Sequence, residues 1–184
     1  MTAPQNIWIR WRVRAGYPVA LLVLLLARPS RASFLIGATI GIVGLAIRAW
    51  AAGFLDKHEA LAIHGPYALT RNPLYFGSAI LAVGLIIAAD SLWAGALVAI
   101  YILLFYPAVM RREEAELREK YGDEFTAYSA RVPLFWPRLG IAKSSESVRV
   151  RFSRQLYSQN HECQAAIGFA LGLAVLWAKM QWMK

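Results

Sequence analysis

Residues 74–110, LYFGSAILAVGLIIAADSLWAGALVAIYILLFYPAVM, form an apolar block in which Asp90 is the single charged side chain. Two polar segments flank the block: HGPYALTRNPLY at residues 64–75 and MRREEAELREKYGDEFTAYSARVP at residues 110–133. One helix needs about 20 apolar residues to cross the hydrocarbon core of a membrane, so the block is long enough for two helices. Both polar segments then lie at the same face, an arrangement typical of a membrane protein that carries out its chemistry at one face.

The composition extends this interpretation to the whole chain. The 184 residues are 58% hydrophobic with a mean hydropathy of +0.43, and the apolar residues occur in blocks instead of alternating with charges. Such blocks predict an all-α fold, a multi-pass transmembrane helical bundle of about five spans. The predicted spans are residues 15–27, 33–55, 74–89, 92–109 and 165–178.

We divide the chain into three parts on this basis. Residues 1–56 are expected to hold a pair of transmembrane helices, residues 57–139 a core with two more helices and both polar segments, and residues 140–184 an interfacial segment and a C-terminal transmembrane helix. The first span has arginines before it, as a secretory signal does. Because residues 28–31, RPSR, follow it without a small-residue cleavage pattern, we expect a retained helix.

Lys and Arg are distributed unevenly about the predicted spans. With the N-terminus in the cytoplasm, 15 of the 20 Lys and Arg residues fall on the cytoplasmic side, with Arg48 inside a span. The bias predicts a multi-pass protein of the cell membrane whose polar segments face the cytoplasm. The net charge of +9 suits contact with anionic lipids. Nucleic acid is not an expected partner, since no aromatic and basic recognition module accompanies the charge.

Residues that commonly carry metal, redox or hydrolytic chemistry are sparse in the sequence. Cys163 is the single cysteine, so neither an intrachain disulfide nor a Cys-rich metal site is expected. The three histidines, His58, His64 and His161, lack the i,i+4 spacing of a zinc-binding pair, and we predict no metal site. The G-x-S-x-G motif of hydrolases and the glycine-rich phosphate loop are also absent.

Five short motifs occur in order across the two polar segments. They are G-P-Y at 65–67, R-x-P-x-Y at 71–75, E-E at 113–114, Y-G-x-E-F-x-x-Y at 121–128 and R-V-P at 131–133. With these motifs the chain resembles the isoprenylcysteine carboxyl methyltransferase and phospholipid N-methyltransferase superfamily of small integral-membrane enzymes that use S-adenosylmethionine. The resemblance implies a cytoplasmic site for this cofactor, a lipophilic or lipid acceptor, and no requirement for an oligomer.

The resemblance also assigns site residues, position by position. Nine residues fall on cofactor positions: Glu59, Leu61, Ala62, Tyr67, Asn72, Pro73, Leu74, Tyr75 and Glu113. Three more are candidates for catalysis: Glu114, which would take a proton from an amine acceptor, Arg71 and Arg111. Arg111, or Arg112 beside it, would replace an arginine that binds the acceptor carboxylate in the prenylcysteine enzymes.

Some of these residues have a structural interpretation beside the functional one. Asn72 precedes Pro73, which places the two residues as N-cap and first residue of the third predicted helix. Arg71 would bind either the carboxylate of the cofactor or lipid phosphates. Glu113 lies about one turn beyond the apolar run, where a carboxylate usually has a partner or a function.

Two positions depart from the superfamily pattern. Asn72 replaces the histidine most often found in R-H-P, and Val109 replaces the arginine that holds the substrate carboxylate in the prenylcysteine enzymes. Without that arginine, an amine headgroup or another neutral or cationic lipophile is favoured over a prenylcysteine as the acceptor. The predicted function is a methyltransferase, dependent on S-adenosylmethionine, that resembles isoprenylcysteine carboxyl methyltransferase. The alternatives are a phospholipid amine N-methyltransferase and a non-catalytic membrane scaffold that kept the fold.

The remaining polar stretches predict local structure. The second polar segment is expected to be a solvated helix in which Glu114 pairs with Arg118 and which ends at Gly122. Residues 147–163 are expected to form a basic interfacial helix before the last span.

Two pairs of glycines have the G-x-x-x-G spacing, residues 37 and 41 and residues 168 and 172. Because glycine lets two helix backbones approach closely, this spacing permits tight helix packing or dimerisation. A dimer is the less favoured of these two outcomes.

Overall fold

The computed structural model describes residues 6–56, 60–138, 152–160 and 162–183. These residues form six α-helices and one short 3-10 helix, Gly65–Ala68, and they contain no strand. The α-helices are α1 Asn6–Leu26, α2 Arg31–Ala52, α3 Pro73–Ala89, α4 Leu92–Arg131, α5 Arg154–Gln159 and α6 Cys163–Trp182. The predicted all-α fold is confirmed.

Five of the helices cover the five predicted spans. By length and hydropathy α2, α4 and α6 can each cross a membrane, while Arg14–Leu26 of α1 and the whole of α3 are shorter apolar helices. Large apolar side chains such as Leu35, Leu103 and Leu171 are exposed on the outside of the bundle. Many exposed apolar side chains on membrane-length helices are typical of contact with lipid. The chain is therefore a helical membrane bundle.

The α2 and α3 helices pack with their backbones in direct contact. A Cβ atom added at Gly37 would meet backbone atoms of Gly84 and Ala88. One added at Gly44 would meet the carbonyl oxygen of Gly77. Any larger residue at these positions would force the helices apart, so the glycines fix the start of α3 relative to the end of α2.

The two G-x-x-x-G pairs have different surroundings. In the first pair Gly37 faces α3, and a Cβ at Gly41 would collide with the Phe169 ring of α6. In the second pair a Cβ at Gly168 would meet no described atom within 4 Å, and one at Gly172 would reach only Leu85, at 3.7 Å. The first pair thus serves packing inside the chain.

The α4 helix is 40 residues long and changes character along its length. It is apolar as far as Met110 and then carries the charges of the second polar segment. Gly122 has the non-helical dihedrals φ +51° and ψ −119°, so α4 consists of two helical stretches that meet at a kink, and the first stretch ends at Gly122 as predicted. A further helical stretch follows because it buries Phe125 and Tyr128 against Leu61.

A loop of residues 132–138 leads from the end of α4 back to the segment before α3. The Arg71 N–H donates to the carbonyl oxygen of Pro133 at 2.9 Å, and the Arg138 N–H donates to that of Leu69, also at 2.9 Å. These bonds bring the two polar segments together at one end of the bundle.

The interfacial helix is shorter than predicted. Residues 147–151 lie outside the described residues, and α5 has only six residues. It ends where the Asn160 side chain turns to the end of α2 and donates to the carbonyl oxygens of Ala52 at 3.0 Å and Leu55 at 2.9 Å. The C-terminal region is therefore attached at the same end of the bundle as the polar segments.

Candidate functional site

A cavity of about 740 Å³ lies at the end of the bundle where α2 ends and α3 and α6 begin. Both polar segments line it, together with part of the apolar half of α4. On α4 the lining residues include Tyr101 and Glu113, an interval of about 18 Å along a helix. The cavity therefore extends from the polar end into the apolar part of the bundle.

The cavity brings together ten of the twelve site residues predicted from the sequence. Those that line it are Leu61, Ala62, Tyr67, Arg71, Asn72, Pro73, Leu74, Tyr75, Glu113 and Glu114. Glu59 lies outside the described residues. Arg111 is exposed on α4 and is not among the described residues that line the cavity. The geometry thus separates Arg111 from the other candidates.

Asn72 is the N-cap residue of α3 and Pro73 occupies the first turn, as predicted. The Asn72 side chain nevertheless makes no cap hydrogen bond, so the capping role predicted for this side chain is wrong. With φ −126° and ψ 56° the backbone lies outside the extended region from which a cap side chain reaches the N–H groups of the first turn. Asn72 Nδ2 instead donates to the carbonyl oxygen of Leu134 at 3.0 Å, so it ties the start of α3 to the loop after α4.

Glu113 has a partner inside the cavity. The Tyr75 hydroxyl donates to Glu113 Oε1 at 2.6 Å, and the Tyr106 ring packs edge-on against the Tyr75 ring with 5.3 Å between centroids. A carboxylate has about four lone-pair sites for hydrogen bonds. The Glu113 carboxylate can therefore bind a hydroxyl or amino group of a ligand while Tyr75 holds it in place.

Arg71 and Glu114 form an ion pair through Nη1 and Oε1, although the sequence predicted Arg118 as the partner of Glu114. The pair with Arg71 is only partly exposed, so its attraction is screened less by salt and water than that of a solvated i,i+4 pair. The Arg118 guanidinium lies instead over the Phe125 ring, 5.9 Å from its centroid. Arg71 Nε is buried and has no hydrogen-bond partner among the described residues. This unsatisfied donor is suited to an anionic group of a ligand.

Tyr67 forms a fixed part of the cavity wall. The Tyr128 hydroxyl donates to the Tyr67 carbonyl oxygen at 2.7 Å and holds the short 3-10 helix in place. Burial raises the pKa of the Tyr67 hydroxyl well above its ordinary value. The side chain therefore stays protonated at neutral pH and offers a neutral hydroxyl and a ring face.

The cavity is also lined by a second ion pair, which the sequence analysis did not predict. Arg48, near the end of α2, donates from Nε and Nη2 to the two carboxylate oxygens of Glu162, each at 2.9 Å. A charge inside an apolar span is itself a signal of function, and this signal could have identified Arg48. Glu162 is 114 residues away and belongs to no motif, so no comparable signal was present for it.

The described cavity lining carries more acidic than basic side chains. It contains five acidic and three basic residues, a formal net charge of −2, in a chain whose net charge is +9. The acidic residues are Asp56, Glu113, Glu114, Glu116 and Glu162, and the basic ones are Arg48, Arg71 and Lys120. A cavity of this sign favours ligands that carry positive charge.

Comparison with known proteins gives one family and two curated relatives. Residues 35–124 match the phospholipid methyltransferase family. The cobalt-zinc-cadmium resistance protein CzcN of Cupriavidus metallidurans is 34% identical over 121 residues, which cover 62% of this chain and 56% of the relative. The nickel-cobalt-cadmium resistance protein NccN of Alcaligenes xylosoxydans xylosoxydans is 35% identical over 127 residues, which cover 66% and 58%. No solved structure gives a significant match.

The match therefore spans little more than half the length of these curated relatives. The matched residues 35–124 include three of the five motifs in full: G-P-Y, R-x-P-x-Y and E-E. They also include all ten of the predicted site residues that line the cavity. The resemblance predicted from the motifs is therefore confirmed: residues 35–124, 90 of the 184 residues, match the phospholipid methyltransferase family, which belongs to the isoprenylcysteine and phospholipid methyltransferase superfamily.

Proposed function

We propose that this protein is a membrane methyltransferase that uses S-adenosylmethionine to methylate a lipophilic acceptor. The observation that carries the proposal is the single cavity that gathers ten of the twelve predicted site residues from both polar segments. Its volume of about 740 Å³ lies in the range of cavities that bind cofactors and small ligands.

The residues present fit S-adenosylmethionine. The buried Arg71 Nε, which has no hydrogen-bond partner among the described residues, would bind the carboxylate of the cofactor. The start of α3 at Pro73 adds the positive end of a helix dipole. Glu113, held by Tyr75, would accept hydrogen bonds from ribose hydroxyls or an amino group. The net negative lining suits the positive sulfonium.

The cofactor supplies a methyl group that is already activated, so the protein chiefly has to align the acceptor and exclude water. Buried residues such as Tyr67 and Asn72 form part of the wall that would exclude water. If the acceptor is an amine, Glu114 is the carboxylate in the cavity that we assign to receive its proton, with Arg71 holding the carboxylate in position. No covalent bond to the protein is needed.

The ion pairs bear on the choice of acceptor. Arg48 and Arg71 are each paired with a carboxylate, and the unsatisfied Nε of Arg71 is assigned to the carboxylate of the cofactor. An acceptor carboxylate would therefore have to displace Glu162 or Glu114. Val109 is buried at 2% exposure and is not among the described lining residues, so a cation is not supplied from that position. These contacts favour an amine headgroup, as in phospholipid N-methylation, over the isoprenylcysteine-like carboxylate.

A second candidate function follows from the relatives, both of which are named as metal-resistance proteins. A non-catalytic membrane scaffold with a role in metal resistance would keep the fold without needing the cofactor. Orientation also belongs to the proposal: the distribution of Lys and Arg supports a cavity that faces the cytoplasm.

Calorimetric titration of the detergent-solubilised protein separates the two candidates. We expect saturable, one-to-one binding of both S-adenosylmethionine and its demethylated product. If neither compound binds, the result favours the scaffold and contradicts the proposed enzyme.

A further inference from the structure

Arg48 is a charged side chain inside α2, a helix that can span a membrane, and such a charge is costly unless it is paired. Both oxygens of Glu162 accept hydrogen bonds from it, and the Glu162 side chain is only 7% exposed. This desolvated ion pair joins α2 to the residue directly before α6, and both of its members line the cavity.

The same guanidinium also contacts the start of α3. Arg48 Nη1 donates to Ser78 Oγ and lies 3.5 Å from the carbonyl oxygen of Leu74. Ser78 Oγ in turn donates to that carbonyl oxygen at 2.8 Å. Leu74 and the following residue, Tyr75, are proposed cofactor contacts and line the cavity. Arg48 therefore links the start of α6 to the segment of α3 that carries the cofactor contacts.

Stability alone is a weak reason for such a pair. The cost of desolvating two charges often cancels their attraction, and apolar residues of similar volume can stabilise a core equally well. What apolar residues cannot reproduce is the directed set of hydrogen bonds that fixes Leu74 and Ser78 relative to Glu162. Glu162 also lies beyond residues 35–124, so the C-terminal region contributes it from outside the family match.

We propose that Arg48 and Glu162 are positioning residues of the methyltransferase site. They hold the first two turns of α3, and with them Leu74 and Tyr75, in the geometry that binds S-adenosylmethionine. This inference rests on the proposed function and deepens it, because it gives the start of α6 a role in the cofactor site.

Three variants of the full chain test the positioning role. Glu162→Gln removes the charge at constant shape, and the double variant Arg48→Met with Glu162→Met replaces the pair by apolar side chains. Lys179→Met is the matched control, because Lys179 attaches α6 to the carbonyl oxygens of Leu24 and Leu25, away from the cavity. Calorimetric titration with S-adenosylmethionine is combined with thermal unfolding and with hydrogen exchange of residues 72–80 in the protein without cofactor.

We expect the double variant to keep a thermal midpoint close to that of the native protein, to bind S-adenosylmethionine about tenfold more weakly, and to exchange faster at residues 72–80. Glu162→Gln should also bind S-adenosylmethionine more weakly and exchange faster at residues 72–80. Lys179→Met should show neither effect. Unchanged exchange at residues 72–80 in the double variant would overturn the positioning role even if the native protein binds no cofactor. Faster exchange with unchanged affinity would overturn it as well, because the pair would then serve stability alone. Failure of the native protein to bind the cofactor refutes the proposed function instead.

Discussion

The Glu113 carboxylate lies where α4 leaves the apolar region, and it accepts a 2.6 Å hydrogen bond from the Tyr75 hydroxyl. If Glu113 also binds the cofactor, Glu113→Gln replaces a charged acceptor by a neutral amide. We expect the affinity for S-adenosylmethionine to fall by about 1–3 kcal/mol, the usual cost of losing a charged hydrogen-bond partner. Titration calorimetry measures the change directly.

Glu119→Gln is the control for this substitution. Glu119 lies on the same helix, is exposed, and is not among the described residues of the cavity wall. Its loss should leave the affinity unchanged. Equal effects of the two substitutions would remove Glu113 from the cofactor site.

Asn72 allows a test of what its side chain does. A helix cap would tolerate Asn72→Ser, because serine is also a good N-cap residue. The structure shows a bond from Asn72 Nδ2 to the Leu134 carbonyl oxygen instead, and the shorter serine side chain would not reach it. We therefore expect Asn72→Ser and Asn72→Ala to be destabilised alike, by about 1 kcal/mol, in thermal unfolding. Native stability of the serine variant would show that the side chain acts as a cap after all.

Short motifs carried the resemblance that assigned the candidate site residues, and ten of these twelve residues line one cavity. The sequence could not supply their partners. The bond between Asn72 and Leu134 and the pair of Arg48 with Glu162 join residues that are 62 and 114 positions apart. Such contacts depend on how the helices pack, and the spacing of residues along the sequence does not predict helix packing.

At the scale of elements, the close packing of α2 against α3 sets the position of the cavity wall. A Cβ at Gly84 would meet the backbone of Gly41 and the carbonyl oxygen of Gly37. Gly84→Ala should therefore separate the helices and destabilise the protein by about 1–3 kcal/mol, as overpacking usually does. Thermal unfolding in detergent, followed by circular dichroism, measures the effect.

Gly168→Ala is the matched control, because an added Cβ there meets no described atom within 4 Å. It should be neutral or stabilising by about 0.5–1 kcal/mol, since alanine is the better helix former. If the two alanine variants were equally stable, the backbone contact between α2 and α3 would not determine stability.

The five long helices could be predicted because uninterrupted apolar runs of spanning length have few alternatives. The helix end at Gly122 could be predicted, and its positive φ ends the first stretch of α4 there. The sequence analysis did not predict the second stretch of α4, which follows because it buries Phe125 and Tyr128. It also did not predict that α5 ends early, where the Asn160 side chain bonds to the end of α2. Both departures result from tertiary contacts.

At the scale of the whole molecule, the charges of the cavity oppose those of the chain. The described lining has a formal net charge of −2 while the chain has +9, and both guanidinium groups in the cavity are already paired. The positive surface suits anionic lipid headgroups, and the cavity suits a cationic cofactor and an amine acceptor. The extension of the cavity along α4 gives the apolar part of an acceptor a place in the bundle.

Methyl transfer is the measurement that tests this account most directly. The purified protein would be incubated in detergent with S-adenosylmethionine carrying a labelled methyl group, together with a total lipid extract or a farnesylcysteine analogue, and the labelled product identified. We predict label in an amine-bearing lipid, little in the farnesylcysteine analogue, and a strong reduction in Glu113→Gln. Efficient labelling of the analogue would contradict the choice of acceptor. No labelled product from any lipid, with no binding of the cofactor, would contradict the central claim that this cavity is a methyltransferase site.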